Sequence, residues 1–428
     1  MSFLLVLLLA CRVADSPDSP DPGVDPGVVD SGGDDIAADT ADTADSGSEA
    51  APTHWSPGTP ESIWTMDASA GFALAVWVTD ATDDGLPDVV VAARDVSEAG
   101  RLLRITTLPN DGHGGFGAPL LAVGDDSTTN SYSADLADVD GDGRLDVLVG
   151  TSRGFGVSFG NGAGFDPQED HDLGWDYGST ANGVDLDGDG ADEIVVSGGQ
   201  RTGTAFGLYR AGPGGEEEPL ADWSAEYPSG MPMVSEVVGY RDADGVPTAV
   251  FAGVHEQRGT GDLSAHADGA GYTLAYTELR LTGDGLYSGF SLDVDDDGAL
   301  DVITEGSAGL EVTPPAGGGP RMLRARDRTT YGTFALPADL LGDGHPDVIE
   351  AVGDHSDQGG LVNLDLAVLP GDGVSLDLAE VFPTGLAFAS TPTAVLGAGD
   401  LDGDGCGDVV ALAGVYQDVV YRLPGRCE

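Results

Sequence analysis

Nine residues, Asp138-Val-Asp140-Gly-Asp142-Gly-Arg144-Leu-Asp146, constrain the fold of this chain more than any other stretch. Carboxylates at positions one, three, five and nine converge on one point if the backbone curls tightly, and glycine at position six permits the curl. The spacing is that of a calcium loop, with the backbone carbonyl of position seven, here Arg144, completing the ligand set. The apolar run Val147-Leu-Val-Gly150 follows without a helical period, so the loop feeds a β-strand. An EF-hand would require a bidentate glutamate at position twelve, which is Val149.

The frame recurs six more times. Three copies keep every acidic position: Asp185, Asp187, Asp189 and Glu193, with Ala191 at position seven; Asp293, Asp295, Asp297 and Asp301, with Ala299; and Asp400, Asp402, Asp404 and Asp408, with Cys406. Three are degenerate. The first has Thr82 between Asp80, Asp84 and Asp88, and its hydroxyl can still offer an oxygen. The second keeps Asp339, Asp343 and Asp347 but has Leu341 at position three, losing one ligand. The third, opening at Tyr240, retains only Asp242 and Asp244, with Arg241 among them and Thr248 at position nine, and is expected to hold no metal. Four to six structural Ca2+ ions are the expected cofactors.

A glycine-rich turn follows six of these loops, as in Asp111-Gly-His-Gly-Gly-Phe116 and Asn161-Gly-Ala-Gly-Phe165, and glycine supplies the positive φ of tight hairpins. Each period therefore reads strand A, acidic loop, strand B, loop, strand C, glycine turn, strand D. Loop starts at 80, 138, 185, 240, 293, 339 and 400 lie 46 to 61 residues apart. Seven such units make an all-β, seven-bladed β-propeller, in which radial closure protects the sheet edges. The 67 glycines and the absence of lysine agree with this class. A formal charge of −57 excludes a phosphate-backbone partner and makes cations the natural ones, so no nucleic acid is expected.

The loop and the turn, including Gly115-Phe-Gly-Ala-Pro119, resemble the FG-GAP or VCBS repeat family, best known from the propellers of integrin α subunits. The resemblance covers the chain from about residue 58 to its end. It implies that the calcium loops join strands A and B on one face, while partners bind the opposite face through the B–C and D–A loops. The last unit lacks a strand D, and the segment near Pro60-Glu-Ser-Ile-Trp-Thr-Met66 is expected to supply it beside the C-terminal strand. Cys406 in an A–B loop and Cys427 just past the C–D turn position then share a face, where an oxidising compartment favours a disulfide.

Ahead of the repeats, Met1 to Ala10 form a short apolar run ending at Cys11. It resembles a bacterial lipoprotein signal peptide (1–10), in which the cysteine becomes the acylated mature N-terminus, although its leading segment carries no Lys or Arg. Residues 11–55 are rich in Asp, Ser, Pro and Thr, with eleven acidic residues and one Arg after Cys11, a composition that cannot bury a core and reads as a disordered, self-repelling tether to the domain at 56–428. The chain is expected to be exported and held by lipid in the cell envelope, at the outer membrane or cell surface, with no other membrane contact.

Catalytic patterns are weak. Gly150-Thr-Ser152-Arg-Gly154 matches a nucleophile elbow, but a strand pattern follows where that motif needs a helix. The seven histidines show no zinc-site spacing. Aromatic and basic residues suited to a protein or glycan ligand are Trp175, Tyr177, His255, Arg258 and Tyr331, with Trp175 equally readable as a blade-packing residue. The sequence thus points to a non-catalytic, calcium-stabilised binding or adhesion scaffold. A lyase-like polysaccharide enzyme on a similar propeller is the alternative.

Overall fold

The computed structural model describes residues 52–428 except 67–69, 96–102, 125–130, 176, 201–202, 215, 224–233, 242–245, 254–262, 268–270, 277–285, 307–308, 315–319, 326–333, 354–360, 378, 392–393 and 414–418. Every regular element among the described residues is a β-strand. Two strands, β1 (Trp55–Pro57) and β2 (Glu61–Thr65), precede the first blade. Blade one is β3 (Ala70–Thr79), β4 (Asp88–Asp95), β5 (Leu103–Leu108) and β6 (Leu120–Val123). Blade two is β7 (Ser131–Ala137), β8 (Asp146–Thr151), β9 (Gly154–Ser158) and β10 (Glu169–Asp172). Blade three is β11 (Tyr177–Val184), β12 (Glu193–Gln200), β13 (Gly203–Gly212) and β14 (Glu216–Asp222). Blade four is β15 (Val234–Arg241), β16 (Pro247–Gly253), β17 (Leu263–Ala267) and β18 (Tyr272–Tyr276). Blade five is β19 (Leu286–Leu292), β20 (Asp301–Gly306), β21 (Gly309–Thr313) and β22 (Arg321–Ala325). Blade six is β23 (Phe334–Ala338), β24 (Asp347–Val352), β25 (Leu361–Leu369) and β26 (Glu380–Thr391). The last blade starts with β27 (Ala394–Gly399), β28 (Asp408–Ala413) and β29 (Val419–Leu423), and the chain ends in β30 (Gly425–Cys427).

Within each blade consecutive strands pair antiparallel, and the seven sheets are those of a seven-bladed β-propeller. First strands face the axis: β3 packs on β7, then β11, β15, β19, β23 and β27 follow, and β27 returns to β3. Second strands such as β8 and β24 are buried along their whole length, which is why Val147-Leu-Val-Gly150 reads as an apolar run rather than an alternating one, while the charged Glu350 inside β24 pairs with Arg324. Close approach at the axis also constrains composition. A side chain at Gly183 of β11 would collide with the Cβ of Ala137 in β7, and one at Gly239 of β15 would press on Val184 of β11.

The closing strand lies where the register of the repeats puts it. The order of the seventh sheet is β2-β29-β28-β27, with Glu61 opposite Arg422, Ser62 opposite Tyr421 and Thr65 opposite Val419. Met66, the end of the expected segment, follows the strand and is buried. A further pairing, without a signature in the sequence pattern, joins the chain ends: β1 and β30 form a two-stranded sheet with Trp55 opposite Cys427. This strand straddles the boundary expected at residue 56, so the folded region takes in Trp55.

Cys406 and Cys427 form the disulfide, 21 residues apart in sequence. Closing a loop of that length removes roughly 3 kcal/mol worth of chain entropy from the unfolded state. Reduction is therefore expected to lower stability by about that amount, read as a shift of the denaturant midpoint with and without reductant. Mass mapping of the unreduced chain that finds both thiols free would contradict the pairing.

Candidate metal centres

Six of the seven acidic loops are described through their length, and all six take one shape. The carboxylate at position one accepts the amides of the following turn: Asp138 from Gly141, Asp142 and Gly143, Asp293 from Asp297 and Gly298, Asp400 from Gly403 and Gly405. Position six has positive φ in each, for example 88° at Gly143 and 87° at Gly405, which accounts for glycine there. Where position four is not glycine the same turn forces a left-handed aspartate, at Asp83 (φ 56°) and Asp296 (φ 53°).

Position nine has a role that the spacing alone did not reveal. Its carboxylate is buried in all six loops and ties the loop down. Asp146 accepts Val139 N at 2.9 Å on one oxygen and Gly160 N at 2.8 Å on the other. Asp408 does the same with Leu401 N (3.0 Å) and Gly425 N (2.8 Å), and Asp347 with Leu340 N (2.7 Å) and Gly371 N (2.8 Å). The glycine turn of strand C is thus stapled to the acidic loop of its own blade. The same turns also seat on the neighbouring blade, since Gly164 N donates to Ala81 O and Gly114 N to Leu401 O.

Among the described residues, four loops gather three carboxylates whose oxygens lie within 4.8 Å of one another: Asp138, Asp140 and Asp146; Asp185, Asp187 and Glu193; Asp293, Asp295 and Asp297; Asp400, Asp402 and Asp404. These are the four loops that keep every acidic position. Several acidic groups could therefore hold a metal ion, and an all-oxygen anionic donor set suits a hard cation such as Ca2+. The backbone carbonyls at Arg144, Ala191, Ala299 and Cys406 would complete such sets.

The degenerate loops assemble no such group among the described residues. Thr82 does not present its hydroxyl as a ligand; it donates to Asp88 Oδ2 at 2.9 Å, and the Ala81 and Thr82 amides donate to the same oxygen. In the Asp339 loop Leu341 is buried, and one Asp347 oxygen accepts both Leu340 N and Leu341 N. Asp80, Asp84, Asp339 and Asp343 bond to loop amides as their counterparts do. Asp242 and Asp244 lie outside the described residues, while Thr248 is buried with its hydroxyl on Val246 O.

Charge crowding shows in the acidities. Burial, followed by the charges of Asp140 and Asp138 and opposed by two amides, pushes Asp146 up to about 7. Burial and the Asp295, Asp297 and Asp293 charges push Asp301 up to about 6, and burial does the same for Asp347 against three amide bonds. A carboxyl whose folded pKa exceeds its unfolded one binds more protons when folded, so between about pH 4 and 7 the cation-free ring loses stability as pH rises. A bound cation favours the ionised form and opposes that loss.

Ligand candidates on the other face fare differently. Trp175 is 7% exposed and packs in an apolar cluster with Phe155, Val157 and Phe159, so it is a blade-packing residue. Tyr177 opens β11, and His255, Arg258 and Tyr331 lie outside the described residues. Ser152 occupies the short turn from β8 to β9, with strand and not helix after it.

Residues 80–149 match the model of an FG-GAP-like repeat, which begins at the first acidic loop and runs through the second. No curated protein is significantly similar in sequence. Among solved structures, the BP39L lectin of Burkholderia pseudomallei is similar with a TM-score of 0.56 and 12% identity, over 84% of this chain and 96% of that one. A lectin of Agrocybe aegerita that recognises non-reducing terminal N-acetylglucosamine is similar with a TM-score of 0.45 and 18% identity, over 86% and 94% of the two chains. At these identities the likeness is one of fold.

Proposed function

We propose that this chain is a calcium-stabilised propeller of the cell envelope that acts as a non-catalytic scaffold for a glycan or protein ligand. The observation that carries the reading is how its best-ordered carboxylates are used. They are bound to loop amides or gathered in carboxylate clusters on the face of the A–B loops, and the position-nine carboxylates are buried beneath those loops. The fold shared with the Burkholderia pseudomallei lectin supports a glycan as ligand. Export is supported by the apolar run before Cys11 and by the Cys406–Cys427 disulfide, which suits an oxidising compartment. Acylation of Cys11 then anchors the chain through the acidic tether.

A glycan array probed with the chain in millimolar calcium tests this reading. Retention on a restricted set of glycans, with no change in them, is the expected result. New ultraviolet absorbance from an acidic polysaccharide incubated with the chain would instead identify a lyase and overturn the non-catalytic assignment.

A further inference from the structure

The four acidic clusters differ in what else reaches them. Arg210, from strand β13 of the same blade, places Nη2 3.1 Å from Asp187 and 3.6 Å from Asp189 and pairs with the buried Glu193, so it spans positions three, five and nine of its loop. Tyr272, from β18 of the next blade, donates its hydroxyl to Asp187 at 3.2 Å and Glu193 at 3.1 Å. Arg422, from β29, pairs with Asp402 and Asp408, the latter at 2.8 Å from Nη2 and 3.0 Å from Nε, and so spans positions three and nine. The Asp138 loop differs. Its only arginine, Arg144, turns outward to Asp142 (2.8 Å) and Asp83 (2.7 Å) and contacts none of the three clustered carboxylates. No arginine pairs with the Asp293 loop among the described residues.

We propose that in the Asp185 and Asp400 loops an arginine of the same blade stands where the calcium ion would, so that the ring takes up two calcium ions, at Asp138 and Asp293, rather than four. The proposal rests on the calcium reading of the loops and deepens it. A calcium ion needs six to eight oxygens at 2.3–2.6 Å. A guanidinium hydrogen-bonded to the oxygens at positions three and nine takes the same acceptors with a charge that protein conditions never remove. The ion would have to displace it, and the two guanidinium groups are held. The Arg422 side chain is 5% exposed and capped by blade one, where a side chain on Gly114 would collide with Nη1. Arg210 is 34% exposed but is fixed by three carboxylates beside the Tyr272 hydroxyl.

A consequence follows for the closing blade, where Arg422 lies opposite Glu61 of the closing strand. Its loop is secured by a guanidinium, by the Cys406–Cys427 disulfide and by the Trp55 indole on Gly407 O at 2.8 Å, all independent of any ion. The seam between the chain ends is thereby kept shut at calcium concentrations that empty the Asp138 and Asp293 loops.

Equilibrium dialysis of the full chain against calcium, with bound metal counted per chain, is the test. Two ions are expected, with Asp140→Asn and Asp295→Asn each removing one, and with Arg210→Met and Arg422→Met together raising the count to four. Three or four ions on the unmodified chain, or a folded double arginine variant still binding two, overturns the proposal while leaving the calcium reading intact. One ion overturns the two-site assignment, and no bound ion contradicts the calcium reading itself. If the arginine variants fail to fold, the two aspartate variants still decide, because a count that neither one lowers overturns the assignment.

Discussion

Trp55→Ala is expected to destabilise the ring by about 3–5 kcal/mol, the range for truncating a buried large aromatic side chain. Trp55 is 2% exposed, lies edge-on to Phe382 with ring centroids 5.8 Å apart, and donates its indole N–H to Gly407 O at 2.8 Å. It stands opposite Cys427 in the small sheet that joins the two chain ends, so one side chain touches blade six, the last acidic loop and the disulfide region. Removal leaves a cavity, orphans the Gly407 carbonyl and loosens the entry to the closing strand. The measurement is the urea midpoint of the variant against the parent, with Val381→Ala as the control. Val381 is 55% exposed on β26, where a substitution is expected to stay within about 0.5 kcal/mol. A Trp55→Ala midpoint equal to that of the control would show that the ends of the chain do not hold the ring.

Much of this was legible in the residue pattern because the loop frame is rigid in spacing. Position six must be glycine to reach its φ, and the apolar run after position nine must be a buried strand, so the seven frames fix blade number and phase together. That phase also locates Glu61–Thr65 as the missing outer strand. The rest depended on contacts that the spacing does not encode. Trp55 lies at the end of an acidic, core-poor stretch, and a three-residue strand leaves no period to detect. The frame presents position nine as a ligand, while its burial and its two amide bonds give it a structural duty that persists at Asp88 and Asp347, where the loop has lost another ligand.

Arg210 and Arg422 are hidden from the spacing for a different reason. They belong to strand C, far from the frame in sequence, and only the fold carries them into it. A signal was available. With 17 arginines against 74 acidic residues, an arginine embedded in a strand pattern, as in Tyr209-Arg-Ala or Tyr421-Arg-Leu, demands a buried carboxylate partner. Trp175 shows the reverse case: an aromatic residue suited to a binding loop is spent on packing.

Calcium removal is expected to be the second large effect. Carboxylates crowded at Asp138, Asp140 and Asp146 and at Asp293, Asp295 and Asp297 repel one another without a cation, and burial already raises Asp146 to about 7 and Asp301 to about 6. At calcium a hundredfold above the dissociation constant, each occupied site adds about 2.7 kcal/mol, so two sites add roughly 5 kcal/mol. For a domain of this size that corresponds to a Tm shift of about 6 °C. Magnesium is expected to substitute poorly, since it prefers a smaller octahedral shell and keeps its waters. The decisive measurement is therefore a thermal melt of the chain at low salt and neutral pH, in 10 mM calcium and again in EDTA. A Tm higher by about 6 °C in calcium is expected, and identical melting in the two conditions would contradict a propeller held together by calcium.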